Sequence, residues 1–298
     1  MKHSLHYIII GIACLFLALQ AEAARPEGGR VSYTQEDSIT ITRLLDRAGK
    51  EGGACLPLWF GRQLLGRPYV AATLELFPDE EQLIVNTRQL DCTTLVETVA
   101  ALTICRQQGR TSFADYCAVL RQLRYRQGIC QGYPSRLHYF SDWIDDNTRM
   151  GFVKEVQQAK APFTAVQRLS IDYMQKHPGA YPSLKRHPEL IKEIAVQEKA
   201  LTGHSYRYIP KKEVRDTEAL RAAVHDGDII AITCNKPGLD IAHVGYAVWR
   251  KDGLHLLNAS MIHKKAVIEP MTLGQYLAKH PSHTGIRVVR ILDSTKKQ

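Results

Sequence analysis

A thiol, an imidazole and a carboxamide occur in this sequence in an order that nucleophilic catalysis could use. Cys92 lies in the segment LDCTTL (90–95), His243 lies in an otherwise apolar predicted strand, and Asn258 ends the next predicted strand. A thiol nucleophile needs a partner imidazole that is close in space, whatever their separation in sequence. A carboxamide beside that imidazole can hold its orientation and tautomer. These three residues are therefore the candidate catalytic set.

Capping residues place Cys92 at the beginning of a helix. Thr94 and Glu97 match the S/T-x-x-E capping box, and Asp91 is an alternative N-cap. With either cap, the helix macrodipole and the unpaired N–H groups of the first turn favour a thiolate at Cys92. The same N–H groups could receive an oxyanion during acyl transfer. The competing interpretation is that Cys92 is a small buried hydrophobe, as most free cysteines are.

His243 and Asn258 also have ordinary structural interpretations. A single histidine in an apolar strand is usually a core or edge residue, and Asn258 could be a turn residue. The segment NAS (258–260) also matches a glycosylation sequon, but a glycan there would cover the proposed site. Two adjacent antiparallel strands can, however, place their polar side chains next to each other on one face. We therefore expect the two side chains to meet.

The remaining polar residues do not predict a metal or cofactor site. The other histidines lack the H-x-x-x-H and H-E-x-x-H spacings of zinc hydrolases. Asp142, Asp145 and Asp146 in SDWIDD lack the alternating ligand spacing of a calcium loop, which favours a solvated helix face. The basic residues are dispersed rather than clustered with aromatic residues, so no nucleic-acid partner is predicted.

Hydrophobic periodicity predicts the elements that must position these residues. Helices are predicted over 38–50, 56–65, 95–108, 113–126, 137–150, 163–176 and 188–201, so the segment from roughly 95 to 203 is expected to be mostly helical. Strands are predicted over 82–85, 206–209, 228–234, 242–249, 253–258, 266–269 and 285–292. Closely spaced short strands favour an antiparallel sheet packed against helices, which is the α+β fold class.

Composition and the first residues bear on location and partners. The chain has 298 residues, of which 45% are hydrophobic and 23% charged, and its net charge of +9 favours acidic partners. Residues 1–23 resemble a signal peptide, with an apolar run from Tyr7 to Leu19 and the small-x-small sequence AEA (21–23). We therefore expect an exported, periplasmic or extracellular protein without stable membrane insertion, whose residues 24–298 form a single domain. Its sheet half is expected over roughly 204–298.

Six cysteines follow residue 23, and their pairing stays open at this point. They could form three disulfides in an exported protein. If Cys92 is a catalytic thiol, at least one further cysteine must be unpaired. The six are Cys55, Cys92, Cys105, Cys117, Cys130 and Cys234.

Several segments taken together resemble the NlpC-type papain-like cell-wall hydrolases. These segments are GRPY (66–69), LDCTTLVE (90–97), GDII (227–230), AHVG (242–245) and LLNAS (256–260). Three others, NTRMGFVKE (147–155), MQKHPGAYPSLKRHPEL (174–190) and YRYIPK (206–211), are similar to a narrower family, the bacterial N-acetylmuramoyl-L-alanine amidase-like proteins. That branch has a long helical segment between the Cys and His motifs. The resemblance covers nearly all of the chain after residue 23.

The resemblance implies a papain-like α+β core that cleaves the amide between N-acetylmuramic acid and L-alanine in peptidoglycan fragments. Cys92 matches the nucleophile and His243 the base. Asn258 matches the third catalytic position, where many relatives have His. Tyr69 matches a tyrosine that lines the cleft next to the thiol. Asp91 and Ser260 flank the site and are expected to bind substrate.

Two other functions are compatible with the same residues. An endopeptidase of the superfamily would cut between D-Glu and the diamino acid of the stem peptide with the same three groups. A non-catalytic peptidoglycan-binding protein would have no unusually reactive thiol. The oligomeric state is not predicted by the sequence.

Overall fold

A sheet of eight strands is the main feature of the computed structural model, which describes residues 30–293. The residues before the sheet form β1 (Val31–Ser32), α1 (Gln35–Glu51), α2 (Leu56–Gln63), β2 (Leu83–Ile84), α3 (Cys92–Gln107), α4 (Phe113–Arg124) and α5 (Phe140–Arg149). The middle of the chain forms β3 (Val153–Val156), β4 (Ala165–Arg168), α6 (Tyr173–Lys176), α7 (Pro182–Arg186) and α8 (Ile191–Leu201). The last part forms β5 (Ser205–Pro210), α9 (Glu218–Ala223), β6 (Ile229–Cys234), β7 (Ile241–Arg250), β8 (Gly253–Ser260), β9 (Lys265–Ile268), α10 (Leu273–Ala278) and β10 (His283–Ile291).

The sheet is antiparallel throughout, with strand order β4-β5-β10-β6-β7-β8-β9 and with β3 paired to β10. Its side chains alternate between two hydrophobic clusters. On β7, Tyr246 and Val248 lie in one cluster and Ala247 lies in the other. β6 is buried along its whole length, as expected for a strand covered on both faces.

Helix α3 lies at the centre of one layer. Its residues from Thr94 to Cys105 are all buried, which is typical of a helix surrounded by protein on every side. The Tyr246 hydroxyl donates to the Val96 carbonyl at 2.8 Å and ties β7 to this helix. Leu220 of α9 and Leu277 of α10 pack in the second cluster, on the opposite face of the sheet.

Residues 133–206, which we call the middle segment, have a hydrophobic cluster of their own. It includes Tyr139, Leu169, Met174 and Ile194. Besides the strand pairing of β3 and β5 with β10, this cluster is connected to the sheet by Arg287 of β10, which is 0% exposed. The Arg287 guanidinium donates to both carboxylate oxygens of Glu155, at 2.5 and 3.0 Å, and to Ser141 Oγ at 2.6 Å. It also lies over the ring of Tyr206 at 3.8 Å.

The prediction of a mostly helical segment over 95–203 is wrong in two places. β3 lies where no strand is predicted, and β4 together with the short helix α6 replaces the predicted helix over 163–176. In β4 the side chains alternate in exposure, and Val166 is 54% exposed on this edge strand. The short run AVQR has no decisive periodicity, so pairing with β5 determines its conformation.

The predicted signal peptide lies outside the described residues, whereas the described helices bear on the prediction about membrane insertion. Residues 1–23, where a signal peptide is predicted, are not among the described residues. None of the helices between residues 30 and 293 combines the length and apolar character needed to span a bilayer. The six cysteines in this range are all unbridged.

Candidate active site

Cys92 is the first residue of α3, and Asp91 is its N-cap. The Asp91 carboxylate accepts the Thr94 N–H at 2.8 Å, and the Asp91 N–H donates to the Thr94 hydroxyl at 2.9 Å. Of the two capping alternatives, Asp91 is therefore correct and the Thr94–Glu97 box is not. Glu97 lies deeper in the helix, where its buried carboxylate accepts from the Arg124 guanidinium at 2.7 Å.

The first turn of α3 keeps free donors beside the thiol. The N–H groups of Thr94 and Leu95 are taken by the side chain and the carbonyl of Asp91. This leaves the N–H groups of Cys92 and Thr93 without a partner within residues 30–293. Donors at a helix N-terminus are suited to an oxyanion that forms on a carbonyl attacked by the sulfur.

β7 and β8 bring His243 and Asn258 together. Tyr246 pairs with Leu257, and continuing this antiparallel register sets Asn258 opposite Gly245, so His243 is a diagonal neighbour of Asn258 on the same face of the sheet. His243 Nε2 lies 3.0 Å from Asn258 Oδ1. Asn258 is 1% exposed and His243 is half-buried.

Cys92 and His243 line the same end of one cleft, and the sulfur lies close enough to act on the charge of the imidazole. Since Nε2 is engaged by Asn258, Nδ1 is the nitrogen left for the sulfur. Burial lowers the pKa of His243, but interaction with Cys92 and the hydrogen bond to Asn258 raise it, and the net shift is upward. The geometry therefore joins the three residues of the candidate catalytic set.

The three flanking residues differ in their contacts. Burial raises the pKa of Tyr69, and the nearby charges of Cys92 and Asp91 raise it further. Tyr69 is held in place by its N–H bond to the Lys264 carbonyl at 2.9 Å. The Asp91 carboxylate is used in the helix cap. Ser260 is 3% exposed and its hydroxyl accepts the N–H of a turn residue, so contact of these residues with substrate stays a prediction.

An open cleft of about 170 Å³ begins at Cys92 and His243. One wall is the beginning of β7 with the preceding loop, including Asp240, and the opposite wall comes from the middle segment. That second wall is largely aromatic and consists of His138, Tyr139, Phe140, Met174 and Tyr181. Sequence reasoning missed these wall residues, although Tyr181 falls within a segment that carries the family resemblance.

The aromatic wall is uncharged at neutral pH. Burial and the charge of Arg136 hold the pKa of His138 well below its usual 6.5, and its Nε2 lies 2.9 Å from the Tyr133 carbonyl. Burial also raises the pKa of Tyr181 to about 12. Apart from this wall, the ionisable side chains in the described lining of the cleft are Cys92, His243 and Asp240.

The acidic cluster of α5 forms ion pairs and hydrogen bonds inside the protein. Asp142 binds Arg126 at 2.6 Å, and Asp146 binds Arg149 at 2.8 Å. Asp145 accepts the Tyr206 hydroxyl at 2.5 Å. Between residues 30 and 293 no group of three or more His, Cys, Asp or Glu side chains is arranged to hold a metal ion.

Comparison with known proteins agrees with the resemblance to N-acetylmuramoyl-L-alanine amidase-like proteins. A family model described as AmiA-like, N-acetylmuramoyl-L-alanine amidase-like, matches residues 59–286. The structure of an N-acetylmuramoyl-L-alanine amidase from Bacteroides uniformis is similar, with 41% identity, a TM-score of 0.74, and coverage of 80% of this chain and 97% of that one. No curated protein matches this chain.

Two further structures extend the comparison. A Bacteroides fragilis protein provisionally named a xylanase is 44% identical, with a TM-score of 0.73 and coverage of 78% of this chain and 100% of that one. A Legionella pneumophila protein, 21% identical with a TM-score of 0.67, shares the fold over 86% of this chain and 95% of its own. Because the family model spans most of the sequence and the Bacteroides uniformis enzyme is 41% identical, this chain belongs to the AmiA-like family of N-acetylmuramoyl-L-alanine amidase-like proteins.

Proposed function

We propose that this protein is a cysteine-dependent amidase that cleaves the bond between N-acetylmuramic acid and L-alanine in peptidoglycan fragments. The observation that carries the proposal is that Cys92, at the N-terminus of α3, lines the same cleft as His243, whose Nε2 lies 3.0 Å from Asn258 Oδ1. Membership of an amidase-like family indicates that an amide bond is cleaved. The residues Cys92, His243 and Asn258 indicate that a thiol attacks it.

In this mechanism His243 Nδ1 takes the proton from Cys92, and the thiolate attacks the carbonyl carbon of the lactyl group. The resulting oxyanion is received by the N–H groups of Cys92 and Thr93. The tetrahedral intermediate collapses, the C–N bond breaks, and the imidazolium of His243 donates its proton to the departing amine of L-alanine. His243 then removes a proton from water, which attacks the thioester and releases the muramic acid carboxylate and the free thiol.

The proposed core is papain-like and of the NlpC type. It is supported by a thiol at the N-terminus of a buried helix that packs on an antiparallel sheet, with an imidazole and a carboxamide on neighbouring strands. The sequence order Cys92, His243, Asn258 is the order in which those elements follow each other. The departure from the family pattern, Asn in place of His, retains an acceptor for the imidazole N–H.

The cleft lining lacks the paired carboxylates that a glycosidase needs, but it can accommodate a glycopeptide. Glycosidases use a pair of Asp or Glu residues, whereas the cleft lining contains one described carboxylate, Asp240. The name given to the Bacteroides fragilis relative is therefore not transferred to this chain. The aromatic wall can pack against a sugar ring, and the net charge of +9 attracts stem-peptide carboxylates over distances limited to about 8–10 Å by physiological salt.

Export to the compartment that contains peptidoglycan is part of the same proposal. It is supported by the apolar run and small-x-small sequence of residues 1–23. Cleavage of residues 1–23 in cells, read from the mass of the mature N-terminus, tests it. A protein recovered with residue 1 intact would contradict it.

The catalytic test replaces the nucleophile. We expect Cys92→Ala to reduce kcat on defined muropeptides by at least roughly 5,000-fold, which corresponds to about 5 kcal/mol in activation free energy. The matched control is Cys55→Ser, which alters a half-exposed thiol whose bond to the Asp226 carbonyl a hydroxyl can replace. We expect the control to keep parental turnover.

Mass analysis of the products distinguishes the alternatives. Free sugar together with an intact stem peptide supports the amidase, and cleavage after D-Glu supports the endopeptidase. Iodoacetamide at neutral pH should label Cys92 faster than the other thiols. Cys92→Ala activity within tenfold of the parent would remove the thiol from the mechanism, and slow, uniform labelling would favour a binding protein.

A further inference from the structure

A buried carboxylate lies behind the candidate catalytic residues. Glu269, immediately after β9, is 1% exposed. Its Oε1 accepts from Asn258 Nδ2 at 3.0 Å, and its Oε2 lies 3.0 Å from His263 Nε2. Its own backbone is fixed to β8, because its N–H donates to the Leu256 carbonyl at 2.8 Å and its carbonyl lies 2.9 Å from His255 Nδ1. Four side chains therefore form one continuous hydrogen-bonded chain, His243–Asn258–Glu269–His263.

The chemistry of Glu269 determines the direction of this chain. An ionised carboxylate can only accept hydrogen bonds, so the Asn258 amide must turn its NH2 group toward Glu269. Its carbonyl oxygen then faces His243, and an oxygen can only accept. The His243 Nε2 must carry the hydrogen, which leaves the Nδ1 lone pair for the proton of Cys92. The Leu256 carbonyl, 3.4 Å from Asn258 Nδ2, is a second and longer acceptor for the same NH2 group, so the carboxylate is the closer of the two groups that orient the amide.

We propose that Glu269 is a positioning residue that orients the Asn258 amide and thereby holds His243 in the tautomer that the thiol requires. The inference rests on the proposed function, since it assigns the tautomer a role in turnover. Glu269 also contributes negative charge toward the imidazole, and that charge helps to raise the pKa of His243.

His263 is the outer end of the chain. Its side chain is 33% exposed, and it donates the second hydrogen bond that keeps the Glu269 carboxylate from rotating. The other ionisable groups around His243 are Cys92, Tyr276 of α10, whose ring centre lies 6.5 Å away, and His283 of β10. Neither Tyr276 nor His283 has a hydrogen bond to His243 or Asn258 in the described part of the chain, so Glu269 is the acidic contact of Asn258.

The test compares Glu269→Ala with Glu269→Gln. Alanine removes the acceptor, so we expect kcat to fall by about 10- to 100-fold with KM within twofold, a typical loss for a residue that orients a catalytic group. Glutamine keeps the shape and one acceptor oxygen, so it should retain most of the kcat that alanine loses and shift the pH–rate profile to lower pH. Glu51→Gln, on the exposed face of α1, is the matched control and should match the parent.

Nitrogen-15 NMR of the His243 ring provides a readout that needs no turnover. We expect Nε2–H in the parent and in Glu269→Gln, and a mixture of tautomers in Glu269→Ala. If Glu269→Ala fails to fold, the pH profile and ring tautomer of Glu269→Gln and of Asn258→Ala carry the comparison. Parental kcat and an unchanged tautomer in a folded Glu269→Ala would overturn this inference while Cys92-dependent turnover stands. An active Cys92→Ala would instead overturn the proposed function, whatever the tautomer shows.

Discussion

Burial and charge act in opposite directions on the imidazole of His243. Burial disfavours the imidazolium, whereas interaction with the neighbouring Cys92 and the hydrogen bond to Asn258 favour it, and the pKa of His243 is raised overall. His243 is therefore a proton acceptor whose own protonation depends on the sulfur beside it.

Cys92→Ala should lower the pKa of His243, because the two largest influences that raise it both come from Cys92. Carbon-13 NMR titration of labelled histidines measures this directly. We expect the His243 pKa of the parent to lie above 6.5 and that of Cys92→Ala to lie below the parent's value. Cys55→Ser should leave it unchanged. Equal pKa values in the parent and Cys92→Ala would show that the two side chains do not interact.

At the scale of elements, the close approach of β7 and β8 is what places the carboxamide against the imidazole. Gly245 lies on β7 two residues beyond His243. A Cβ atom there would lie 2.6 Å from the Leu257 carbonyl and 2.9 Å from Leu256 Cδ1. Glycine is therefore required at this position by contact with the facing strand, not by an unusual backbone conformation.

We expect Gly245→Ala to destabilise the protein by about 1–3 kcal/mol, the usual cost of overpacking a well-packed interior. It should also lower kcat, because the displaced β8 carries Asn258 away from His243. Urea unfolding and muropeptide turnover measure the two effects. Gly179→Ala is the matched control, since a Cβ there meets nothing within 4 Å. A Gly245→Ala variant with parental stability and parental kcat would show that the approach of the strands is not limiting.

At the scale of the whole molecule, the middle segment is joined to the sheet through a buried arginine. Arg287 on β10 contacts Ser141 of α5, Glu155 of β3 and Tyr206 of β5. The same segment provides the aromatic wall of the cleft, including Tyr181. The position of the wall relative to the catalytic residues therefore depends in part on this guanidinium, together with the pairing of β5 with β10 and the bond from the Ser141 N–H to the Asp240 carboxylate.

Arg287→Met should lower the free energy of unfolding by about 3–5 kcal/mol, because it leaves the buried Glu155 carboxylate without its cation. Arg287→Lys should recover only part of the loss, since an ammonium cannot form the two-pronged contact. Urea unfolding gives the stability, and hydrogen exchange over 133–210 reports loosening of the wall. Arg30→Met, which removes an exposed ion pair with Glu80, should cost less than about 1 kcal/mol. Similar losses in both variants would contradict this interpretation.

Elements with strong local patterns are predicted well from the sequence. Helices α1, α4 and α8 and strands β5–β10 lie within a few residues of their predicted ranges, because their apolar patterns agree with the surfaces they bury. Helix α3 does so as well, although it is buried on every side and its beginning is marked by its cap. The short helices α9 and α10 are missed, since six residues are too few to show a helical period. β3 and β4 are missed because they are strands only by virtue of pairing with β10 and β5.

The candidate site divides in the same way. Local residues determine that Cys92 begins a helix, since Asp91 and Thr94 form a reciprocal cap within four positions. The meeting of that thiol with His243 and the aromatic wall of the cleft depend on distant parts of the chain. Glu269 carries no signal in the sequence that relates it to Asn258, eleven positions earlier.

The sequence by itself therefore determined the residue types, the helix that carries the thiol, and the hairpin that carries the imidazole and carboxamide. All of these depend on interactions between neighbours in the chain, such as capping and alternation. The tertiary structure alone decided the walls of the cleft, the strand character of 165–168 and the acceptor behind Asn258. These features arise from packing between segments far apart in sequence, where no local pattern records which surfaces will meet.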